Sequence, residues 1–208
     1  MQPAVKPAVI YLLRHGQTAH NASGRLMGHR DIGLDEVGLL QAETAARLVT
    51  SRDIRAVYCS DLQRARHTAE RAAARLGLDV TPRPALREVD VGRWEGLTDA
   101  EIRSTDPEAY AAVGADPYGA RRPGGESYAE MADRVWRELK SIAAAHAGEE
   151  VLAVSHGGPM RAVICRVLGL AWERRHLLTF QNCGLLALIH DRGMYRLEVP
   201  GWAVAPTT

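Results

Sequence analysis

The chain has 208 residues, 46% of them hydrophobic and 25% charged, enough for one sizeable domain with its own core. Lys+Arg at 26 against Asp+Glu at 25 leaves no bulk basic field to recruit nucleic acid, so any anion binding must be local. Cys59, Cys165 and Cys183, an odd set without a CxxC pair, fit a reducing cytoplasm better than a disulfide framework. No segment approaches the ~18 consecutive apolar residues of a membrane span, and the first residues lack the apolar core of a signal peptide.

Ala8-Val9-Ile10 and Tyr11-Leu12-Leu13 predict a short buried strand that finishes on Arg14-His15-Gly16. In open α/β sheets, ligands bind just beyond the carboxyl ends of parallel strands. Arg14 offers a planar fork of donors suited to phosphate. His15 offers a ring nitrogen that is neutral, and so nucleophilic, near pH 7. Taken alone the tripeptide is also what a polar strand end looks like. A polar loop from Asn21 to Gly33 follows, made basic by Arg25, His29 and Arg30. The next helix is expected over roughly Asp35 to Thr50, with Val37, Leu40, Thr44 and Leu48 on one face.

Ala56-Val57-Tyr58-Cys59 predicts a second buried strand. Ser60 and Gln63 have capping-box spacing, which makes Ser60 the expected N-cap of a helix running to about Leu76. Leu62, Ala65, Ala69, Ala73 and Leu76 fall on its core face, and Arg64 and Thr68 share another. A helix N-terminus already favours anions, so Arg64 there is either a surface residue or shares an anion with the helix end. Asp79-Val80-Thr81 is a third strand, ended by Pro82 and Pro84.

Leu86 to Gly96 is neither helical nor strand-like, and two acids, two glycines and Trp94 in a loop suggest a site. Residues 98–122 read as an inserted helical cap, with breaks at Asp106-Pro107 and Asp116-Pro117. Pro123-Gly124-Gly125-Glu126-Ser127 launches a strong helix to about His146, with Met131, Val135, Leu139 and Ile142 inward. The strand Val151–Val154 then runs into Ser155-His156-Gly157-Gly158-Pro159, Pro159 fitting a first helical turn. Gly184–Ile189 and Met194–Val199, joined at Asp191-Arg192-Gly193, predict a β-hairpin.

Three strands thus end in Arg14-His15, in Cys59-Ser60 before Arg64, and in Ser155-His156. If they are parallel neighbours, two histidines, two arginines, Asn21 and two helix N-termini converge on one pocket, an environment that wants a dianion. A two-histidine zinc site is the metal alternative. It would need further ligands close by, and two guanidinium groups would repel the cation.

Leu13-Arg14-His15-Gly16-Gln17-Thr18, with Asn21 after it, resembles the opening motif of the histidine phosphatase superfamily, in the branch containing cofactor-dependent phosphoglycerate mutase. The resemblance continues through Ser60-Asp61-Leu62-Gln63-Arg64-Ala65, then Leu86-Arg87-Glu88 with Gly92-Arg93-Trp94-Glu95-Gly96. It ends with Pro123-Gly124-Gly125-Glu126-Ser127 and Val154-Ser155-His156-Gly157-Gly158. Five motifs in order over most of the chain are highly specific. The resemblance implies that His15 takes the phosphoryl group, that Arg14, Arg64 and His156 hold its equatorial oxygens, and that Glu88 gives the proton to the leaving oxygen. It also implies phosphate contact at Asn21 and substrate contacts around Met27, Gly28 and Gly157, with no metal and no cofactor.

The expected fold is α/β: a three-layer α/β/α sandwich with a mostly parallel sheet, one domain over residues 1–208 and a small cap near 98–122. The expected activity is a phosphomonoesterase, with a phosphoglycerate mutase as the alternative and a non-catalytic phospho-ligand binder as a distant third. Mutases of the family are longer between the acid and the Glu-Ser motif, and carry basic residues right after the acid, where this chain has Val89-Asp90-Val91. Met27 stands where the family often has a polar contact, which argues against a small, highly polar acid such as phosphoglycerate or phosphoserine. Arg121 and Arg122 are candidates for a second anionic group. The expected partner is a small phosphate ester rather than nucleic acid or membrane, and family likeness makes a homodimer through a sheet edge plausible.

Overall fold

A computed structural model of the chain describes residues 6–199. Six strands form one sheet in the order β3-β2-β4-β1-β5-β6. They are β1 (Ala8–Arg14), β2 (Ile54–Cys59), β3 (Val80–Pro82), β4 (Glu150–Ser155), β5 (Leu185–Asp191) and β6 (Met194–Glu198). The pairs β1–β4, β2–β4 and β2–β3 are parallel, and the hairpin β5–β6 adds antiparallel to β1. The three strands expected to converge are therefore neighbours, with β4 in the middle. Arg14 lies directly across from Ser155, and Cys59 from Val154.

Alternation along β1 divides the core in two. Ala8, Ile10 and Leu12 face one layer, with Met131, Val135, Leu139 and Ile142 of α6 (Tyr128–Ala145) and Met160, Val163 and Ile164 of α7 (Gly157–Leu168). Tyr11 and Leu13 face the other, with α2 (Glu36–Val49) and α3 (Gln63–Leu76), following a single-turn α1 (Ala19–Ala22). This is the α/β/α sandwich. α4 (Asp99–Thr105) and α5 (Pro107–Ala115) occupy the stretch read as a cap.

Two expectations about helices are corrected. In α2 the buried residues are Gly38, Ala42, Ala45, Ala46 and Val49, whereas Val37 and Leu40 are 44% and 68% exposed. The small face wins because it lets α2 come close to the alanines of α3 and to the loop after β1. A Cβ on Gly38 would sit 2.0 Å from the Gln17 carbonyl oxygen. In α3 the N-cap is Leu62, with no capping box. Gln63 instead donates its backbone N–H to Asp31 Oδ1 at 2.6 Å and its side-chain amide to Asp31 Oδ2 at 3.2 Å. Asp31 does the work expected of Ser60 from the loop before α2. By contrast, α6 carries a complete capping box between Ser127 and Glu130 at 3.1 and 2.8 Å.

Candidate active site

The carboxyl ends of β1, β2 and β4 bring Arg14, His15, Arg64 and His156 together. His15 follows β1 directly and is 1% exposed, and its ring Nδ1 lies 2.6 Å from Gly16 O. That carbonyl can only accept, so Nδ1 carries the proton and Nε2 keeps its lone pair. The backbone behind the ring is pinned as well. His15 N–H donates to Ser155 O at 3.0 Å, Gly16 N–H to Thr68 Oγ1 at 3.1 Å, and Asn182 Nδ2 to His15 O at 3.0 Å.

His156 is the N-cap of α7 and wholly buried. Its Nδ1 accepts from Arg64 Nε at 3.3 Å, which places its proton on Nε2, a buried atom with no partner. The His15 and His156 ring centroids are 5.0 Å apart, edge to face. One ring thus offers a lone pair and the other an N–H.

Arg64 is also fully buried. It donates to Arg30 O and Gly28 O, each at 2.8 Å, as well as to His156. Burial pulls its pKa down to about 10, so it stays a cation at neutral pH. Gly28 has φ +53°, and a Cβ there would strike Val91 Cγ2 at 2.7 Å, so glycine lets its carbonyl reach Arg64. Arg14 donates to Phe180 O at 2.5 Å, while its buried Nε has no partner.

Glu88 reaches the same place from the loop after β3. Its carboxylate accepts from Val89 N–H at 2.9 Å and from Gly158 N–H, in the first turn of α7, at 3.1 Å. Arg134 of α6 ties that loop down, donating to Ala85 O, Arg87 O and Glu88 O at 2.9, 2.8 and 2.6 Å and pairing with Glu126. Glu126 in turn accepts from Asp90 N–H at 2.9 Å. The Gly-Glu-Ser motif therefore caps α6 through Ser127 and fixes the Glu88 loop through Glu126.

A cavity of about 500 Å³ opens at this point, lined among others by Arg14, His15, Asn21, Met27, Glu88 and Gly157. Gly28 lines it too, whereas Arg64 and His156 lie wholly buried beside it. Asn21 accepts through Oδ1 from Thr18 N–H, Thr18 Oγ1 and Asn182 Nδ2, at 3.2, 3.2 and 3.3 Å, which turns its amide nitrogen away from those partners. Met27 Sδ lies 3.1 Å from Thr18 Oγ1 and competes with Asn21 Oδ1 for its single proton. The sequence reading missed Asn182, Thr68 as support for Gly16, and the lining residues Tyr128, Arg161 and Arg175. Arg161 carries a legible signal, one helical turn after Gly157. Arg175, in a 3₁₀ turn over Trp172–Leu177, carries none.

Burial above all, then the charges of Arg64 and Arg14, hold the His15 pKa well below its ordinary 6.5. Burial, then Arg64 and His15, does the same to His156. Unfolded, both rings titrate near 6.5. Below that pH the unfolded chain binds more protons than the folded one, so this contribution to stability is complete above 6.5 and is lost as pH falls toward the folded-state values. Urea melts are expected to show stability falling between pH 6.5 and 5.5, with a shallower slope in His156→Asn. An equal slope in the variant contradicts the assignment.

The fold sets the paired histidines beside one cavity, and the comparisons make the class specific. The family model of the histidine phosphatase superfamily (branch 1) matches residues 10–202, and the chain belongs to that family. It is 42% identical over 161 residues to the metal-independent phosphoserine phosphatase of Arabidopsis thaliana, covering 76% of this chain and 68% of that protein. It is 31% identical over 195 residues to a probable phosphoglycerate mutase, GpmB, of Yersinia pestis, covering 94% and 90%. The solved structure of a mycobacterial glucosyl-3-phosphoglycerate phosphatase complexed with VO3 superimposes with a TM-score of 0.81 at 32% identity, covering 93% and 98%. These relatives support phosphatase activity for this chain. No helix among the described residues is long and apolar enough to cross a membrane.

Proposed function

We propose that this protein is a phosphomonoesterase that hydrolyses small phosphorylated metabolites through a phosphohistidine on His15, without a metal or other cofactor. The observation that supports this most is the pairing of His15, with its lone pair on Nε2, and His156, with its N–H, beside two buried or half-buried arginines. His15 Nε2 attacks phosphorus in line while Arg14, Arg64 and His156 hold the three equatorial oxygens. Phosphoryl transfer depends chiefly on such positioning and charge stabilisation. The P–O bond to the leaving group breaks, and protonated Glu88 gives that oxygen its proton. Water then attacks phosphorus, Glu88 takes its proton, and the P–N electron pair returns to Nε2. Asn21, Met27, Gly28 and Gly157 contact the substrate.

Residues 1–208 form one histidine-phosphatase domain with 98–122 as its cap. The enzyme acts in the cytoplasm on a small ester, with neither nucleic acid nor membrane as partner, and a homodimer through a sheet edge is the assembly that family likeness suggests.

Gly158 is the close approach this scheme depends on. A Cβ there would lie 2.0 Å from Glu88 Oε1, so Gly158→Ala must push the carboxylate aside. It is expected to lower kcat on alkyl phosphates by about 10- to 100-fold, part of the contribution of general acid catalysis. Unchanged kcat counts against Glu88 acting from this position.

A panel of phosphomonoesters assayed with chelator present, alongside 3-phosphoglycerate isomerisation, tests the function itself. Release of inorganic phosphate without isomerisation is the expected result. Isomerisation with little phosphate release would favour the mutase reading.

A further inference from the structure

Beside the histidine pair the cavity adjoins a smaller lobe of about 270 Å³, lined by Tyr128, Gly158, Arg161, Trp172, Arg175 and His176. Tyr128, Gly158, Arg161 and Arg175 line both spaces, so a ligand seated on His15 can extend into the lobe. Arg122 completes the cationic wall: it is 6% exposed, lines the main cavity and stacks 3.9 Å over the Tyr128 ring. Arg175 lies 5.9 Å from the same ring.

Among the described residues none of the three guanidinium groups pairs with a carboxylate, and their hydrogen bonds go to backbone carbonyls. Glu126 and Glu88 act on Arg122 only from beyond ion-pair distance. Arg161 donates to Leu178 O at 3.0 Å, Arg175 to Trp172 O at 3.2 Å and Arg122 to Ala120 O at 3.4 Å. Arg25, which also lines the main cavity, is paired with Glu101 at 2.8 Å. Glu88 is already engaged by two backbone N–H groups. Trp172 Nε1 is buried without a partner, one more donor among the lining residues. Gathering cations in a partly desolvated space is unfavourable unless an anion joins them. Each arginine spends one donor group on the backbone and keeps others of its fork for an oxyanion.

We propose that this lobe is a second anion subsite, so that the preferred ester carries a further phosphate or carboxylate group beyond the one that is cleaved. Arg161 and Arg175 hold that group, and Arg122, braced on Tyr128, adds its charge. This rests on the phosphomonoesterase reading and narrows it to bis-anionic esters. Two arginines lining the lobe, with the charge of Arg122 in the adjoining cavity, favour a phosphate dianion over a carboxylate.

The test uses matched alkanediol monophosphates of graded chain length whose far end is a hydroxyl, a carboxylate or a second phosphate. At the best length, kcat/KM for the bisphosphate is expected to exceed that for the hydroxyl ester by about 10- to 100-fold, the worth of one or two charge-assisted hydrogen bonds. The difference should lie mainly in KM. In Arg161→Met and Arg175→Met the ratio should fall toward one, and Arg175→Lys should restore part of it. A carboxylate ester that matches or beats the bisphosphate keeps the subsite and reassigns its ligand. A ratio near one in the wild-type enzyme, with hydrolysis itself intact, overturns the subsite and leaves the phosphatase reading standing. If no ester is hydrolysed, the phosphatase reading fails instead. Calorimetry on His15→Ala then judges the lobe, and equal affinity for the hydroxyl ester and the bisphosphate overturns it.

Discussion

Replacing His15 by alanine is expected to lower turnover of every phosphomonoester by about 10⁴- to 10⁶-fold, the scale seen when a covalent nucleophile is removed. On the proposed reading the loss should be in kcat, because Arg14, Arg64, His156 and the α7 N-terminus would remain to bind phosphate. Inorganic phosphate should therefore still bind His15→Ala and raise its melting temperature. The geometry explains why no neighbour can substitute. The His156 Nδ1 accepts from Arg64 and its Nε2 carries the proton, so that ring has no lone pair to offer. Cys59 and Cys183 are buried thiols whose pKa values burial pushes up to about 12, which keeps them protonated and inert. A variant retaining more than about a hundredth of wild-type kcat would mean that phosphoryl transfer does not pass through this ring.

Glu88→Gln should be the second most damaging change, and its effect should depend on the leaving group. An alkoxide needs its proton as the P–O bond breaks, so alkyl phosphates should slow by about 10²- to 10⁴-fold. A nitrophenolate leaves without one, so p-nitrophenyl phosphate should phosphorylate His15 almost as fast as before. Its overall turnover should then be limited by hydrolysis of the phosphoenzyme, where the same carboxylate takes the proton from water. Glutamine has one acceptor oxygen, so it keeps only one of the Val89 N–H and Gly158 N–H bonds, and a near wild-type rate of His15 phosphorylation by p-nitrophenyl phosphate is the check that the loop still holds its place. Equal losses in the rate of His15 phosphorylation by both kinds of ester would show that Glu88 positions the substrate and transfers no proton to the leaving group.

Much of this site was legible because the chemistry sits where strands end. Arg14-His15, Arg64 and Ser155-His156 each follow an apolar run, and parallel neighbours must deliver their ends to the same side. The sheet order brings them together as that rule requires. Glu88 was reached only through resemblance, since nothing in a loop sequence says which carboxylate turns inward. What holds Glu88 was not legible at all. Arg134 and Glu126 are far from it in sequence and close to it only after α6 packs on the sheet. The same separation hid Asp31 at the start of α3 and Asn182 behind His15. In α2 the larger aliphatic residues suggested the wrong face, because close approach of backbones selects small residues and hydrophobicity alone does not report it.

The most direct test is to mix enzyme with an excess of ³²P-labelled ester, quench in base within one turnover, and map the label. A P–N bond on an imidazole survives base and is lost in acid, unlike a phosphoserine. The expected result is base-stable, acid-labile label on the peptide bearing His15, appearing faster than free phosphate and absent from His15→Ala. Label on another residue, or rapid turnover with no labelled protein at any time, would contradict the account.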